Sequence, residues 1–111
     1  MDSLEAEDRS QRLLGNVARA HELLNRCGES WWARWIAVVQ RELTAHDAHG
    51  LERLLNGYGG MGGFHDLVIH PMNGHSVAAD DVDAVNNELV RLSAEMHGDA
   101  RALLGALRRE R

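Results

Sequence analysis

The chain has 111 residues, of which 44% are hydrophobic and 26% charged, and its formal net charge is −5. This size and composition are typical of one globular domain with a proper hydrophobic core, so residues 1–111 are expected to form a single domain. The acidic N-terminus does not resemble a signal peptide, and no apolar run is long enough to cross a membrane. The negative charge argues against a nucleic-acid partner. We therefore expect a cytoplasmic protein that binds neither nucleic acid nor membrane.

Two helices are predicted in the first half of the chain. Residues 4–27 carry an apolar stripe at helical spacing, followed by Gly28, which is typical of a helix end. Residues 30–44 carry a broader stripe, and Ser30 is a plausible N-cap. The two stripes consist of Leu13, Leu14, Val17, Ala20, Leu24 and Cys27, and of Trp32, Trp35, Ile36, Val39 and Leu43.

Two further helices are predicted in the second half. The third covers residues 47–56, with Asp47 as a candidate cap. The fourth runs from residue 80 or 81 to 109, with acidic residues at its start, arginines at its end and Gly98 as a candidate bend. Their stripes consist of Leu51, Leu54, Leu55 and Tyr58, and of Val82, Val85, Leu89, Leu92, Met96, Ala100, Leu103 and Leu107. The four elements predict an all-α bundle of about four helices.

A glycine-rich segment, residues 57–75, separates the third and fourth predicted helices and contains the only proline of the chain. It is longer than the connections that compact bundles need, and long ordered loops are often functional. Its glycine cluster follows a helix rather than a strand, and the chain has no lysine for a phosphate-binding loop, which excludes nucleotide binding through this segment. We expect an ordered loop, and favour a tight turn packed on the bundle over a ligand cradle.

The histidines are candidate metal ligands. His46 and His49 are three residues apart, a spacing that places two side chains on one edge of a helix. His65 and His70 in the loop provide two further candidates. None of these matches a strong zinc motif, so surface or loop histidines are the favoured interpretation and no cofactor is predicted.

The tryptophans are interpreted chiefly as packing residues. Trp32 and Trp35 lie on the main stripe of the second helix, whereas Trp31 lies near its edge and is a candidate interface residue. Cys27, the only cysteine, is predicted to be a small buried residue. No serine lies in a nucleophile elbow, and no catalytic residue is assigned.

The chain from about residue 35 to 102 resembles a family of small, uncharacterised bacterial helical proteins. The resemblance depends on residues 59–69 (GGMGGFHDLVI), on residues 73–75 (NGH) and on the spacing of Asp81, Val85, Asn86, Leu89 and Leu92. The resemblance also includes Asp47, followed by residues 50–51 (GL) and 54–55 (LL). The family pattern has Ser at the position of Gly63 and Asn at that of His65, so a polar role is not carried over to those two positions. The resemblance implies a helical fold and no particular activity.

Four polar side chains in or beside the loop are not needed to form helices. Asp66 is expected to accept backbone N–H groups that hold the loop, Asn73 begins a strong turn pair with Gly74, and Asn86 lies off the stripe of its helix, where it could face the loop. A structural network explains these residues and His75; a catalytic site explains them with less support. The full set of binding or loop-organising candidates is Gly59, Gly60, Met61, Gly62, Asp66, Asn73, His75 and Asn86.

The leading functional hypothesis is a non-enzymatic protein-interaction module of bacterial type, such as an immunity or regulatory protein, with a protein partner. Small size, acidic charge, an unusual loop and the lack of a recognisable catalytic set favour it. A small enzyme or small-molecule binder with a pocket at the loop is the first alternative. There Asp66 or His75 would act as acid or base, and Asn73 or Asn86 would orient the substrate. A histidine-based metal-binding domain is the second. The long fourth helix leaves both a homodimer and a monomer open.

Overall fold

A computed structural model describes residues 1–110 of the chain. It contains four α-helices, and three short 3₁₀ turns lie between the third helix and the fourth. The helices are α1 (Ser3–Arg26), α2 (Ser30–Thr44), α3 (His49–Asn56) and α4 (Val82–Arg109), and the turns are Phe64–Asp66, Pro71–Asn73 and Ala79–Asp81. The predicted all-α fold of four helices is confirmed.

The helices form a ring of neighbours in which α1 contacts α2 and α4, and α3 contacts the same two helices. Helix α1 runs antiparallel to α4, because Arg12 bonds to Asp99 whereas Asn16, further along α1, bonds to Glu95, which precedes Asp99. With eight residues against 28, α3 is about 12 Å long and α4 about 42 Å. Helix α3 therefore covers only part of the bundle, and the segment after it, residues 57–81, contacts α4 and the start of α2.

The hydrophobic core contains residues from all four helices and two from the segment between α3 and α4. The predicted stripes of α1 and α4 supply half of its buried residues, but Leu104 is buried near the end of α4 while Leu107 is 41% exposed. The principal core residues are Leu13, Val17, Ala20, Leu24, Ile36, Val39, Leu51, Leu54, Phe64, Ile69, Leu89, Leu92, Met96 and Ala100.

Helix α2 spans residues 30–44 as predicted, whereas its N-cap and the starts of α3 and α4 differ from the prediction. The N-cap of α2 is Glu29 and not Ser30, because the Glu29 carboxylate accepts the N–H of Trp32. Helix α3 begins at His49 rather than at Asp47, although the Asp47 carboxylate does accept the N–H of His49. Helix α4 begins at Val82, after a 3₁₀ turn, and continues as one helix through Gly98.

Within residues 1–110 no helix is both long and apolar enough to cross a membrane.

Candidate functional site

Asn86 joins α4 to the segment that follows α3. Its side-chain oxygen accepts the N–H of Ile69 at 2.8 Å, and its Nδ2 donates to the Ile69 carbonyl at 2.8 Å and to the Val82 carbonyl at 2.9 Å. Ile69 is fully buried, so its two backbone groups have to be paired within the protein. One amide side chain satisfies both of them, which explains why an asparagine lies off the apolar stripe of α4.

His75 attaches the same segment to the start of α2. Its Nδ1 accepts the N–H of His70 at 3.0 Å, which assigns the ring proton to Nε2, and Nε2 lies 3.1 Å from Oε1 of Glu29. The other oxygen of Glu29 caps α2 through Trp32. Partial burial acts to raise the pKa of Glu29, but the hydrogen bonds from His75 and from the Trp32 N–H outweigh it and lower the pKa below its usual value. His75 therefore has a structural position, with both ring nitrogens engaged.

The glycine-rich turn that follows α3, residues 57–63, is held by Asp66. The Asp66 carboxylate accepts the N–H of Gly62 at 3.0 Å, which is the kind of backbone contact that the sequence predicts for it. Gly60 and Gly62 both have positive φ angles, of 69° and 78°, and thus need glycine. Between them Met61 is fully exposed. Asn73 donates to the carbonyl of Val68, and Gly74 follows it in the left-handed conformation expected of a turn pair.

The histidines proposed as metal ligands lie apart or are engaged elsewhere. His46 lies outside α3 with a φ of 59°, so it does not share a helical edge with His49, and that part of the prediction is wrong. His70 accepts the N–H of Met72, and His65 stacks on Tyr58 with a ring separation of 6.0 Å. In the described part of the chain no group of three His, Cys, Asp or Glu side chains is arranged to hold a metal ion.

An open groove of about 810 Å³ lies between α2, α3 and the glycine-rich turn, and all three tryptophans line it. Trp31 packs edge-on against Trp32, with ring centroids 4.6 Å apart, and Trp32 packs in the same way against Trp35, at 5.0 Å. Trp32 and Trp35 pack against the core with one side, whereas Trp31 is 61% exposed. We call this site the tryptophan groove.

Glycines of the turn form the other wall of the tryptophan groove. Gly57 touches the ring of Trp35 so closely that a Cβ atom there would lie 2.2 Å from Trp35 Cζ2. The chain then leaves α3 through Gly59, Gly62 and Gly63, which also line the groove. Because these residues have no side chains, their backbone lies close to the indole rings and is accessible to a molecule bound in the groove.

The end of the tryptophan groove away from Trp31 is charged. Arg53 of α3 donates Nε and Nη2 to the two carboxylate oxygens of Glu42 on α2, at 2.5 and 3.3 Å. Glu52 lines the groove beside this pair, and within residues 1–110 the one cation at ion-pair distance from it is Arg108, at 4.0 Å. The groove thus offers aromatic faces, glycine backbone and one carboxylate without a close partner. These groups suit the binding of a partner or ligand. Among the described residues, the groove does not bring a nucleophile and a base together.

Sequence reasoning missed the tryptophan groove. Of the eight candidate site residues, only Gly59 and Gly62 line it, and the others organise the loop or are exposed on it. The sequence feature that could have indicated the groove is Trp31, which lies at the edge of the α2 stripe. The pairing of α2 with α3, which closes the groove, cannot be derived from either helix by itself.

A family model described as "Domain of unknown function (DUF6966)" matches residues 25–78. The match starts earlier than the predicted resemblance and ends before α4, so it contains α2, α3 and the glycine-rich segment but not Asn86. It covers the tryptophan groove completely. It defines a class of helical domain without an assigned activity. Neither the curated proteins nor the solved structures include a significant match to this chain.

Proposed function

We propose that this domain is a protein-interaction module that binds its partner in the tryptophan groove and against the adjacent glycine-rich turn. The observation that carries the proposal is the exposure of Trp31 on the wall of an open groove. We propose further that the module works in the bacterial cytoplasm, as a regulatory or immunity protein that acts by occupying its target.

Exposed aromatic surface in a concave site favours binding. Covering a large apolar side chain contributes about 1.5–3 kcal/mol, and tryptophan is enriched among the residues that dominate interface energetics. Met61, fully exposed on the turn that borders the groove, adds a flexible apolar side chain that adapts to a partner surface. The Trp35 ring is held against Gly57, so this side chain loses little conformational entropy on binding.

The environment of the polar candidates supports binding over catalysis. Asn86 and His75 use their side-chain donors and acceptors within the protein, and Asp66 accepts a backbone N–H of its own loop. A general acid or base has to reach the substrate directly or through one water molecule. None of these three side chains lines the tryptophan groove.

The test is affinity capture from a native lysate with three matched baits: the wild-type chain, Trp31→Ala and Val90→Ala. Val90 is 65% exposed on α4 and does not line the groove, so its variant removes a similar exposed apolar side chain elsewhere. A partner retained by wild type and Val90→Ala but depleted at least tenfold by Trp31→Ala is expected. A partner that binds all three baits equally would overturn the groove as the binding site.

A small-molecule binder is the second candidate, because the volume of about 810 Å³ falls within the range of ligand pockets. Native mass spectrometry of freshly purified protein distinguishes it. A stoichiometric adduct that Trp31→Ala loses would favour a metabolite, whereas a bare chain that still captures its protein partner favours the interaction module.

A further inference from the structure

We propose that the partner presents an extended segment to the tryptophan groove and that an arginine side chain of this segment lies on the tryptophan faces, attracted by the exposed carboxylate of Glu52 further along the groove. The inference rests on the proposed function and adds the chemistry of the partner. It follows from the length of the groove, from its charges and from its aromatic wall.

The dimensions of the groove fit an extended segment. Along α2 the lining residues run from Trp31 to Glu42, a distance of about 16 Å at 1.5 Å per residue. An extended chain covers that distance with about five residues. The opposite wall is partly glycine backbone, which leaves room for a main chain to lie in the groove and for one long side chain to reach the indole rings.

The charges of the groove favour a cation. Its one arginine, Arg53, is already paired with both oxygens of Glu42, whereas Glu52 is about half exposed and has Arg108 only at the limit of ion-pair distance. An anionic segment would meet Glu52 and would have to break the pair between Arg53 and Glu42. The net charge of −5 also steers cationic partners toward the domain.

The tryptophan wall favours arginine over lysine. A guanidinium is planar and weakly hydrated, so it stacks on an indole face while its N–H groups remain free to donate to a carboxylate. Trp31 and Trp32 stand at 77° to each other, and Trp32 and Trp35 at 87°, so indole faces of different orientation are present in one groove. A lysine ammonium provides the charge without the planar contact.

The test is selection from a display library of random linear peptides of roughly seven residues, a length that spans the groove. The baits are the wild-type chain, Trp31→Ala, Glu52→Gln and Val90→Ala. We expect wild type and Val90→Ala to enrich peptides that contain arginine, Trp31→Ala to lose the enrichment, and Glu52→Gln to weaken the preference for arginine. Enriched peptides that depend on Trp31 but show no preference for arginine would overturn this inference and leave the proposed function standing. No enrichment that depends on Trp31 would overturn the extended segment, and the capture experiment would then decide the proposed function separately.

A titration then measures how the charge of the arginine affects the affinity of the peptide. All three tryptophans line the groove, so intrinsic fluorescence reports its occupation directly. A selected peptide is compared with the same peptide in which citrulline, a neutral group of nearly the same shape, replaces arginine. We expect citrulline to weaken binding about tenfold to wild type, in keeping with a partly desolvated cation–π contact, and less to Glu52→Gln. Equal affinities of the two peptides for wild type would contradict the proposed arginine contact.

Discussion

At the scale of single residues, Asn86 makes the clearest prediction. Replacing it with alanine leaves the buried N–H and C=O groups of Ile69 without partners, so Asn86→Ala is expected to lower the free energy of unfolding by about 2–4 kcal/mol. Urea denaturation followed by circular dichroism measures this change. The neighbouring Asn87 is exposed, which makes Asn87→Ala the matched control, with an expected change of less than about 0.5 kcal/mol. Equal effects of the two variants would show that the contact with Ile69 does not stabilise the fold.

The sequence identifies Asn86 more readily than it identifies the tryptophan groove, and the reason is physical. A polar side chain that interrupts a helical pattern without capping a helix needs another partner, and the neighbouring loop is the nearest one. Trp32 and Trp35, by contrast, satisfy the apolar stripe of α2 whether their outer sides are covered or exposed. Only the position of α3, with Gly57 against Trp35, decides that a groove remains there.

At the scale of elements, α1, α2 and α4 could be predicted because each has an apolar stripe long enough to define a helical face. The start of α3 could not, since Asp47 lies outside the helix and accepts the N–H of His49 from there. His46, just before it, adopts a left-handed backbone that is rare outside glycine, so it shares no helical edge with His49. The three 3₁₀ turns between α3 and α4 were also not predicted. Their positions depend on tertiary contacts, such as those of the buried Phe64 with Trp32 and Trp35, which no local pattern encodes.

Helix α4 gives a prediction that separates backbone conformation from packing. A Cβ atom at Gly98 would meet nothing within 4 Å, and the same is true of Gly62, but only Gly62 has a positive φ. Gly98→Ala is therefore expected to stabilise the protein by about 0.5–1 kcal/mol, because alanine loses less entropy in a helix. Gly62→Ala should destabilise it by about 1–2 kcal/mol. Thermal unfolding of both variants measures the difference, and a lower melting temperature for Gly98→Ala would indicate that α4 needs its glycine.

At the scale of the whole molecule, one buried carboxylate connects the first helix to the last. Asp99 of α4 is 2% exposed and accepts hydrogen bonds from Arg9 at 2.9 Å and from Arg12 at 2.6 and 2.8 Å, both on α1. It lies three residues after Met96, at the edge of the α4 stripe, and this spacing is the one sequence feature that indicates a buried carboxylate. The hydrogen bond from Arg12 is the main reason why the pKa of Asp99 lies below its ordinary value of 3.8.

This lowered pKa predicts how stability changes in acid. A carboxylate that binds protons less readily in the folded than in the unfolded state stabilises the fold fully above its ordinary pKa. The contribution is lost as the pH falls through the lower, folded value. Asp99→Asn keeps the shape but removes the charge, so at pH 7 the variant is expected to be less stable by about 1–3 kcal/mol, a range reduced because Arg12 is half exposed. Below about pH 4 its stability should fall less steeply than that of wild type.

Urea denaturation at pH 7 and below pH 4 measures this difference, with the exposed Asp80→Asn as control. If wild type and Asp99→Asn lose the same free energy of unfolding on acidification while Asp80→Asn behaves as wild type, Asp99 does not cause the acid sensitivity.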